Sequence, residues 1–446
     1  MSDFLDEYAV YQADYGTPDR IELLLPDINA IHRGKWLPGE DAVKLTTGAA
    51  RLPMSTYAPN ILGEEIPETG LGSVVGDPDG RMVPVPGSLR TVPWLDGHVA
   101  QVQVEMVDEA GRISDLSSRQ KLVEMAQRYN ARGLTPVVAT ELEFYVFHPR
   151  NSPDDAPRPP DHAPDAQNYE MNVLDRTEPI LTEIQAASLQ QNLATDSLIA
   201  EYGPGQYEVN FHHTDDVMEA ADTALLFRRL VRGVVARHGM EATFMAKPYA
   251  EHPGNGMHVH ASVTGPGGKN IFAADSGIAE TLQHAVAGVL ATMPEAQAIF
   301  APHLNSYRRF QPGSFSPSRP DWGLDHRGAA IRLPDTAGPG ARLEHRISGA
   351  DVNPYLALSA ILGGILHGLD AKLALPPALD DANATPAAPL SYDWRQAVDR
   401  LAASDFIGDI LGTLFRDIFV TLKYDEMAKL MAEITPVEYR MYLGRL

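Results

Sequence analysis

Carboxylates and imidazoles recur at a spacing of two residues in segments that have the pattern of β-strands. In VVATELEFYVF, Glu141 and Glu143 project from one face of the predicted strand, because side chains alternate along a strand, and Leu142 and Phe144 project from the other. Two carboxylates within an apolar strand are costly to desolvate unless a cation joins them. This pair indicates a metal site, and the alternative is the solvated face of an edge strand.

A second acidic pair flanks a turn in LIAEYGPGQYEVNFHH. A hairpin closing at Pro204-Gly205 would place Glu201 and Glu208 opposite each other, where like charges destabilise the hairpin unless a divalent metal joins them. A solvated acidic pair is the alternative. In PGNGMHVHASV, His258 and His260 share one face of a predicted strand, an arrangement typical of metal or phosphate binding.

Two arginine-rich segments accompany these ligand candidates. In GARLEHRISG, Arg342, Glu344 and Arg346 share one face, which is also the pattern of a plain ion-pair ladder. In NSYRRFQPGSFSPSR, adjacent arginines precede a Pro-Gly turn, and a guanidinium offers two parallel donors to a carboxylate or phosphate. Carboxylate and imidazole ligands favour Mg²⁺ or Mn²⁺, so metals bridging phosphates and arginines neutralising a transferred phosphoryl group form one coherent hypothesis.

The elements that must position these residues predict an α+β protein of two domains, residues 1–110 and 111–446. The first region has a helix, a buried strand in IELLLP and many Gly and Pro residues. The second begins with a helix from about Ser114 to Gly133 and has helical runs at 219–238 and 278–293 with strands between them. Pro- and Asp-rich stretches at 151–166 and 375–390 are predicted surface loops.

Composition limits the classes of function. The 446 residues are 44% apolar, contain no cysteine and carry a net charge of -23, which argues against a nucleic-acid partner. Tyr355 to Leu369 is apolar but shorter than a bilayer span, so we expect a buried helix with Asn353 as its N-cap and Pro354 at its first position. The acidic start lacks the features of a signal peptide, so we expect a cytoplasmic protein with no membrane partner.

As a set, the motifs resemble the glutamine synthetase superfamily, and within it the γ-glutamylputrescine synthetase branch. The resemblance lies in ELEFYVF, AEYGPGQYE, KPYAEHPGNGMHVH, NSYRRFQPGSFSP, RGAAIRLP, RLEHR and GADVNPYLALSAILGGILHGLD, and it extends to LLLPDINAIHRGKWLP near the start. It implies a small N-terminal β-grasp-like domain and a large C-terminal catalytic domain with an antiparallel sheet. It also implies a homo-oligomer, a dodecamer of two hexameric rings, with each active site completed by a neighbouring subunit.

The resemblance assigns roles to individual residues. One metal site would comprise Glu143, Glu201 and Glu208, and the other Glu141, His258 and Glu344. Arg327 and Arg332 would bind ATP phosphates, with Arg327 stabilising the transferred phosphoryl group, and His260 and Ser262 would lie on the nucleotide side. Arg309 and Arg346 would bind the α-carboxylate side of glutamate, with Gly254 near its amino group. The amine must lose a proton before it attacks, and Glu201, or Glu64 or Glu65 of a neighbouring subunit, could accept it.

Departures from the family pattern bear on the second substrate. True glutamine synthetases carry a glutamate after the Pro-Gly turn that helps to bind ammonium, and this chain has Phe315 there, between Ser314 and Ser316. Trp322 is a second candidate for the same apolar wall, or a packed structural tryptophan. Pro253 stands where those enzymes have an asparagine that contacts glutamate, and Leu373 replaces the tyrosine they offer for adenylylation, so that regulation is not expected.

The sequence therefore predicts ATP-dependent ligation of an organic amine to the γ-carboxyl of L-glutamate through a γ-glutamyl phosphate. Putrescine or a related polyamine or monoamine is the expected amine, in amine utilisation or detoxification. An ammonia-dependent glutamine synthetase is the alternative enzyme. A catalytically inactive structural or regulatory ring is the alternative of another class.

Overall fold

A computed structural model describes residues 4–160, 167–311, 314–382 and 385–446. The helices are α1 Phe4–Tyr15, α2 Ser118–Asn130, α3 Met171–Gln190, α4 Val217–Arg237, α5 Glu280–Phe300, α6 Pro354–Ala371, α7 Trp394–Ala402, α8 Asp405–Leu411, α9 Thr413–Ala432 and α10 Pro436–Tyr442. The strands are β1 Arg20–Pro26, β2 His32–Pro38, β3 Arg51–Pro53, β4 Asp79–Pro84, β5 Arg90–Thr91, β6 Val99–Val107, β7 Thr135–Phe147, β8 Thr195–Ala200, β9 Gln206–Phe211, β10 Glu241–Thr243, β11 Met257–Thr264, β12 Trp322–Leu324, β13 Ile331–Asp335 and β14 Arg342–His345. The α+β prediction is confirmed.

The first sheet is built from the N-terminal strands. Its order is β2-β1-β6-β4-β3, with β5 also paired to β6, and all pairs are antiparallel except β1 with β6. Every residue of β6 is buried, as expected for a central strand covered on both faces. The predicted order of a helix followed by strands is confirmed for this region.

The second sheet carries the candidate ligands. Its order is β12-β13-β14-β11-β7-β9-β8, with β10 also paired to β7, and only β12 and β13 run parallel. Burial alternates along most of β7, and Leu142 and Phe144 are fully buried beneath the sheet. Because β7 lies between β11 and β9, the edge-strand alternative for Glu141 and Glu143 is wrong.

The hairpin β8–β9 has a different register from the one predicted. Glu208 pairs with Ile199, whereas the Glu201 backbone N–H donates to the Gln206 carbonyl at 2.9 Å. Glu201 and Glu208 are therefore not opposite each other, and the predicted pairing is wrong by two residues. A shift of two keeps both side chains on the same face of the hairpin, because side chains alternate with a period of two.

The helices behind the second sheet largely follow the sequence pattern. Asn353 caps α6 by accepting from the backbone N–H groups of residues 355 and 356, and Pro354 is its first residue, as predicted. Helix α5 continues through Pro294 to Phe300, seven residues beyond the predicted end, since its apolar face is buried against α6. Among the described residues, α6 alone is long and apolar enough to cross a membrane, and 78% of it is buried inside the protein.

The N-terminal sheet packs directly on the helices of the second region. The Asp222 carboxylate of α4 accepts hydrogen bonds from Arg119, at 3.0 and 3.2 Å, and from the Tyr355 hydroxyl, at 2.6 Å. Gln103 of β6 donates to the same Tyr355 hydroxyl at 3.3 Å. One continuous apolar core thus spans both regions, and the division at residue 110 stays a prediction.

Candidate active site

Three adjacent strands place four ligand candidates on one face of the second sheet. His258 of β11 pairs with Glu141 of β7, and His260 of β11 pairs with Glu344 of β14. Directly paired residues on neighbouring strands point to the same side, so the four side chains form one cluster. The prediction that His258 and His260 share a strand face is borne out by this register.

The Glu141 carboxylate lies at the centre of the cluster. One oxygen is 3.0 Å from His258 Nδ1 and the other is 2.9 Å from His260 Nε2. Burial raises the pKa of Glu141, but the hydrogen bonds from these two histidines outweigh it and hold the pKa far below its ordinary value. Glu141 is therefore an anion with both oxygens directed at groups that bind metals.

Glu344 is fully buried and is held by arginines. Its carboxylate accepts from Arg332 at 2.7 Å and from Arg346. Burial raises the pKa of Glu344, but the charges of His258, Arg346 and His260 outweigh it and lower the pKa. Of the predicted ion-pair ladder of Arg342, Glu344 and Arg346, the Glu344–Arg346 pair is present and the Glu344–Arg342 pair is wrong. Arg342 donates instead to His260 Nδ1 at 3.2 Å, because β13 brings Arg332 to Glu344 first.

Glu201 and Glu208 lie among other carboxylates. Burial and the neighbouring Glu143 raise the pKa of Glu201 to about 7. Burial raises the pKa of Glu208 to about 9, with further contributions from the charges of Glu141, Glu143 and Glu201. Such crowding of acids is favourable only when protons or cations neutralise it.

The donor set fits a divalent metal of the Mg²⁺ or Mn²⁺ kind. Two groups have ligand atoms within 4.8 Å of one another: Glu141, Glu208 and His258, and Glu141, His260 and Glu344. These groups share Glu141 and differ from the two predicted sets. Neither group includes Glu143 or Glu201 of the first predicted set, and His258 and Glu344 of the second predicted set fall in different groups. The Glu143 carboxylate instead accepts the Gly256 backbone N–H at 2.6 Å. Five glutamates and two histidines with no thiolate suit a hard cation.

Arg309 is buried at the floor of the site beside Gly254. Its guanidinium donates to the Ile347 carbonyl at 2.8 Å, and burial lowers its pKa. A Cβ atom at Gly254 would lie 2.5 Å from the Ala246 carbonyl oxygen and 2.8 Å from the Arg309 side chain. Only glycine fits this close approach of the loop to the arginine.

A cavity of about 690 Å³ joins these groups. Twelve of the fourteen predicted site residues line it: Glu141, Glu143, Glu201, Glu208, Gly254, His258, Arg309, Phe315, Arg327, Arg332, Glu344 and Arg346. The other two, His260 and Ser262, line an adjacent cavity of about 1310 Å³ that shares Glu141 and Asn210 with the first. The structure thus places His260 and Ser262 apart from the residues predicted for glutamate, with Glu141 lining both cavities. Arg327 and Arg332, also predicted to bind ATP phosphates, line the first cavity.

One wall of the first cavity is aromatic. The rings of Tyr202 and Phe315 are stacked with centroids 5.1 Å apart, and Tyr169 packs on Tyr202 at 6.1 Å. All three rings line the cavity near Glu201, and each is more than half exposed. Tyr169 has a positive φ of 62°, a conformation rare for a bulky residue.

Sequence reasoning missed Tyr169 and Tyr202. A tyrosine adjacent to Glu201 was the available signal, whereas the position of Tyr169 depends on the loop before α3. Trp322, the proposed second part of the wall, is buried, and its Nε1 donates to the Pro376 carbonyl at 2.8 Å. Trp322 is therefore a packed structural tryptophan and does not form part of the aromatic wall.

Comparisons with known proteins agree with this geometry. Residues 115–442 match the family model of the glutamine synthetase catalytic domain. The chain is 38% identical to the γ-glutamylputrescine synthetase of Escherichia coli, over 99% of this chain and 95% of that one. It is 35% identical to the γ-glutamylethanolamide synthetase of Streptomyces coelicolor, over 65% of this chain and 63% of that one. The solved structure of a GmaS/ADP complex superposes with a TM-score of 0.86, at 25% identity, and covers all of both chains.

These matches span the whole catalytic region and both sheets, and they agree with the resemblance that the motifs carry. The chain belongs to the glutamine synthetase family.

Proposed function

We propose that this protein is an ATP-dependent ligase that joins the γ-carboxyl of L-glutamate to an organic amine, putrescine or a related polyamine or monoamine. The observation that carries the choice of amine is the wall formed by Tyr169, Tyr202 and Phe315 beside Glu201. An aromatic wall contacts methylenes and attracts a distant ammonium group by a cation–π interaction, and a small ammonium ion would gain little from it.

The buried arginines suit the carboxylate end of glutamate. Arg309 and Arg346 are mostly buried in the cavity, and each guanidinium presents donors in a fixed fork that matches a carboxylate. Arg327, in contrast, is exposed at the edge of the cavity, where its side chain is free to approach a transferred phosphoryl group. In this proposal the γ-carboxyl points towards Glu141, between the two cavities.

The glutamates and histidines named above would hold Mg²⁺ or Mn²⁺, which would neutralise their charge and that of the ATP phosphates. The γ-carboxyl of glutamate takes the γ-phosphoryl group of ATP, and the resulting acyl phosphate loses phosphate when the amine attacks. The amine arrives protonated, and the Glu201 carboxylate, whose pKa is raised to about 7, suits a base that accepts this proton. Glu64 is paired with Lys429 at 2.7 Å within its own subunit, which favours Glu201 over it.

Two further proposals concern the oligomeric state and the cellular location of the protein. We propose a homo-oligomer, a dodecamer of two hexameric rings, in the cytoplasm. The residues after α9 support association, because Ile434, Leu443 and Leu446 are exposed apolar side chains and the intervening helix α10 has no buried residue. Sedimentation or light scattering of the purified protein measures the mass directly, and a monomer would contradict the proposal.

The amine is identified by phosphate release from purified protein with L-glutamate, ATP and Mg²⁺. Putrescine, spermidine, ethanolamine, isopropylamine and ammonium are compared, and mass spectrometry identifies the amide. We expect an organic amine to have the highest kcat/KM. Ammonium outperforming every amine would establish the alternative glutamine synthetase, and no turnover with any amine would favour the inactive ring.

The wall is tested separately with Tyr202→Ala and Phe315→Ala. Each should raise the KM for the preferred amine roughly tenfold, since an aromatic contact contributes on the order of 1 kcal/mol or more, and should leave the KM for ATP nearly unchanged. Tyr15→Ala removes a similarly exposed ring on α1 and is the control. Equal losses for ATP and amine would show that the wall supports the fold instead of the amine.

A further inference from the structure

A third cavity lies between the N-terminal sheet and helix α4. Its volume is about 1100 Å³, and none of its lining residues lines the active-site cavity. Five arginines line it, against two carboxylates, Glu22 and Asp351. In a chain with a net charge of -23, this concentration of positive charge requires an explanation.

Glu22 pairs with two of the five arginines, Arg20 and Arg229. Its carboxylate is 3.1 Å from Arg20 and also pairs with Arg229, which donates in addition to Gln101 at 3.0 Å. Arg237, at the end of α4, pairs with Glu183 at 3.3 Å. These three guanidinium groups therefore have partners within the protein.

Arg228 and Arg232, one turn apart on α4, differ from the others. Arg228 is 5% exposed, and one of its nitrogens donates to the Val352 carbonyl at 2.7 Å while its Nε has no partner. Arg232 is exposed and faces the Phe244 ring at 5.5 Å, and within the described ranges its guanidinium has neither a hydrogen bond nor an ion pair. Burial and the neighbouring charge of Arg232 lower the pKa of Arg228 to about 9.

The remaining polar groups do not satisfy this charge. Asp351 attracts Arg228, but no ion pair forms between them, and one Asp351 oxygen accepts from Ser306 at 2.6 Å. Burial and three arginines lower the pKa of His32 to about 3, so its ring is neutral, and its Nε2 is buried without a partner. A buried donor without an acceptor is unfavourable, and Arg228 Nε is one. The exposed guanidinium of Arg232, one turn away, has no carboxylate partner, so a ligand that supplies acceptors would complete this pair of arginines.

The other walls are apolar and aromatic. Trp36, Trp94 and Phe244 line the cavity together with Leu95. Gly233 allows Trp94 to lie against α4, because a Cβ atom there would be 2.2 Å from the indole ring. The guanidinium groups lie beside these rings, with Arg229 5.9 Å from Trp94 and Arg232 5.5 Å from Phe244, so a ligand in this cavity would meet rings and guanidinium groups together.

We propose that this cavity binds an organic anion, whose carboxylate or phosphate group is held by Arg228 and Arg232 and whose apolar or aromatic body lies against Trp94 and Phe244. Both groups present paired oxygens to a guanidinium fork. The site is distinct from the active site and independent of the choice of amine.

Phenyl phosphate, phenylacetate and benzyl alcohol are matched probes of this proposal. They are titrated into the purified, assembled enzyme saturated with ADP and Mg²⁺, so that the active site is occupied, and binding is followed by calorimetry and by tryptophan fluorescence. Arg232→Met removes one guanidinium and keeps the apolar stem. Arg112→Met changes an exposed arginine, 82% of whose side chain is accessible, and is the control.

We expect at least one of the two anions to bind and benzyl alcohol not to bind. Arg232→Met should weaken anion binding roughly tenfold or more, because one charge-assisted contact is lost, whereas Arg112→Met should leave it unchanged. The stronger anion shows whether phosphate or carboxylate is preferred. The proposal is overturned if ADP with Mg²⁺ abolishes binding, if Arg232→Met has no effect, if benzyl alcohol binds equally well, or if neither anion saturates the protein below about 10 mM.

Discussion

The carboxylate of Glu141 shows how single residues set the chemistry of this site. It binds both histidines of β11 and belongs to both groups that could hold a metal. Glu208, in contrast, has its pKa raised by burial and by the charges of Glu141, Glu143 and Glu201, against the opposing charge of Arg346. The site therefore combines an anion that is already stabilised with a carboxyl group that holds a proton near neutral pH unless a cation replaces it.

At this scale we predict opposite effects of Glu208→Gln with and without metal. In metal-free protein near neutral pH the raised pKa of Glu208 means that folding must take up a proton at this carboxyl group. The amide needs no proton, so the change should raise Tm, by on the order of 1 kcal/mol in stability. With saturating Mg²⁺ the variant should be less stable than the wild type, and turnover should fall roughly 100-fold or more, since a ligand is lost.

Thermal unfolding with EDTA and with Mg²⁺ measures both effects. Glu241→Gln, a change to a carboxylate that pairs with Arg150 at 3.0 Å outside the site, is the control. The same change in Tm under both conditions would contradict a metal role for Glu208.

At the scale of elements, the close contact of α5 and α6 supports the second sheet from behind. A Cβ atom at Gly288 would lie 2.2 Å from the Gly364 carbonyl oxygen, and one at Gly368 would lie 2.0 Å from the His284 carbonyl oxygen. The two helix backbones therefore touch through glycines. His345 of β14 packs against this helix pair, and the centroid of its ring is 4.4 Å from that of Phe300 on α5.

We predict that Gly288→Ala destabilises the protein by about 1 to 3 kcal/mol, because the added methyl group forces α5 and α6 apart. Gly444→Ala is the control, since no atom lies within 4 Å of a Cβ there. Urea unfolding measures the difference. An unchanged midpoint for Gly288→Ala would show that the helices can separate without loss.

At the scale of the whole molecule, a buried ion pair joins α9 to the N-terminal region. Lys423 is 3.0 Å from Glu426 and donates to Asn29 at 2.8 Å, while Glu426 accepts from the backbone N–H of Ile61 at 2.9 Å. Burial raises the pKa of Glu426, but Lys423 and His303 outweigh it and lower the pKa to about 2. The folded pKa lies below the ordinary value, so this stabilisation is present above about pH 4.5 and is lost as the pH falls through about 2.

We predict that Glu426→Gln lowers the free energy of unfolding by about 3 to 5 kcal/mol at neutral pH, because Lys423 is left as an unpaired buried charge. The difference from the wild type should shrink as the pH falls towards about 3. Urea titrations across this range test the slope. Glu109→Gln, at an exposed ion pair with Arg51, should show no such dependence, and a constant difference for Glu426→Gln would contradict the assignment.

The sequence by itself determined the features that depend on neighbouring residues along the chain. Alternation placed Glu141 with Glu143, and His258 with His260, on common faces, because the backbone of any strand imposes that period. Capping residues fixed the start of α6, and the ordered motifs identified the family. The α+β class follows from the same local information, and through the family resemblance the motifs named fourteen site residues, twelve of which line the cavity.

Only the tertiary structure decided which groups meet across strands and loops. It set the Glu201–Glu208 register two residues from the expected one, paired Glu344 with Arg332 instead of Arg342, and buried Trp322 away from the cavity lining. It also brought Tyr169 and Tyr202 to Phe315, and Arg228 and Arg232 of α4 to the N-terminal sheet. These contacts join residues far apart in sequence, and they depend on loop closure and packing, which no local pattern encodes.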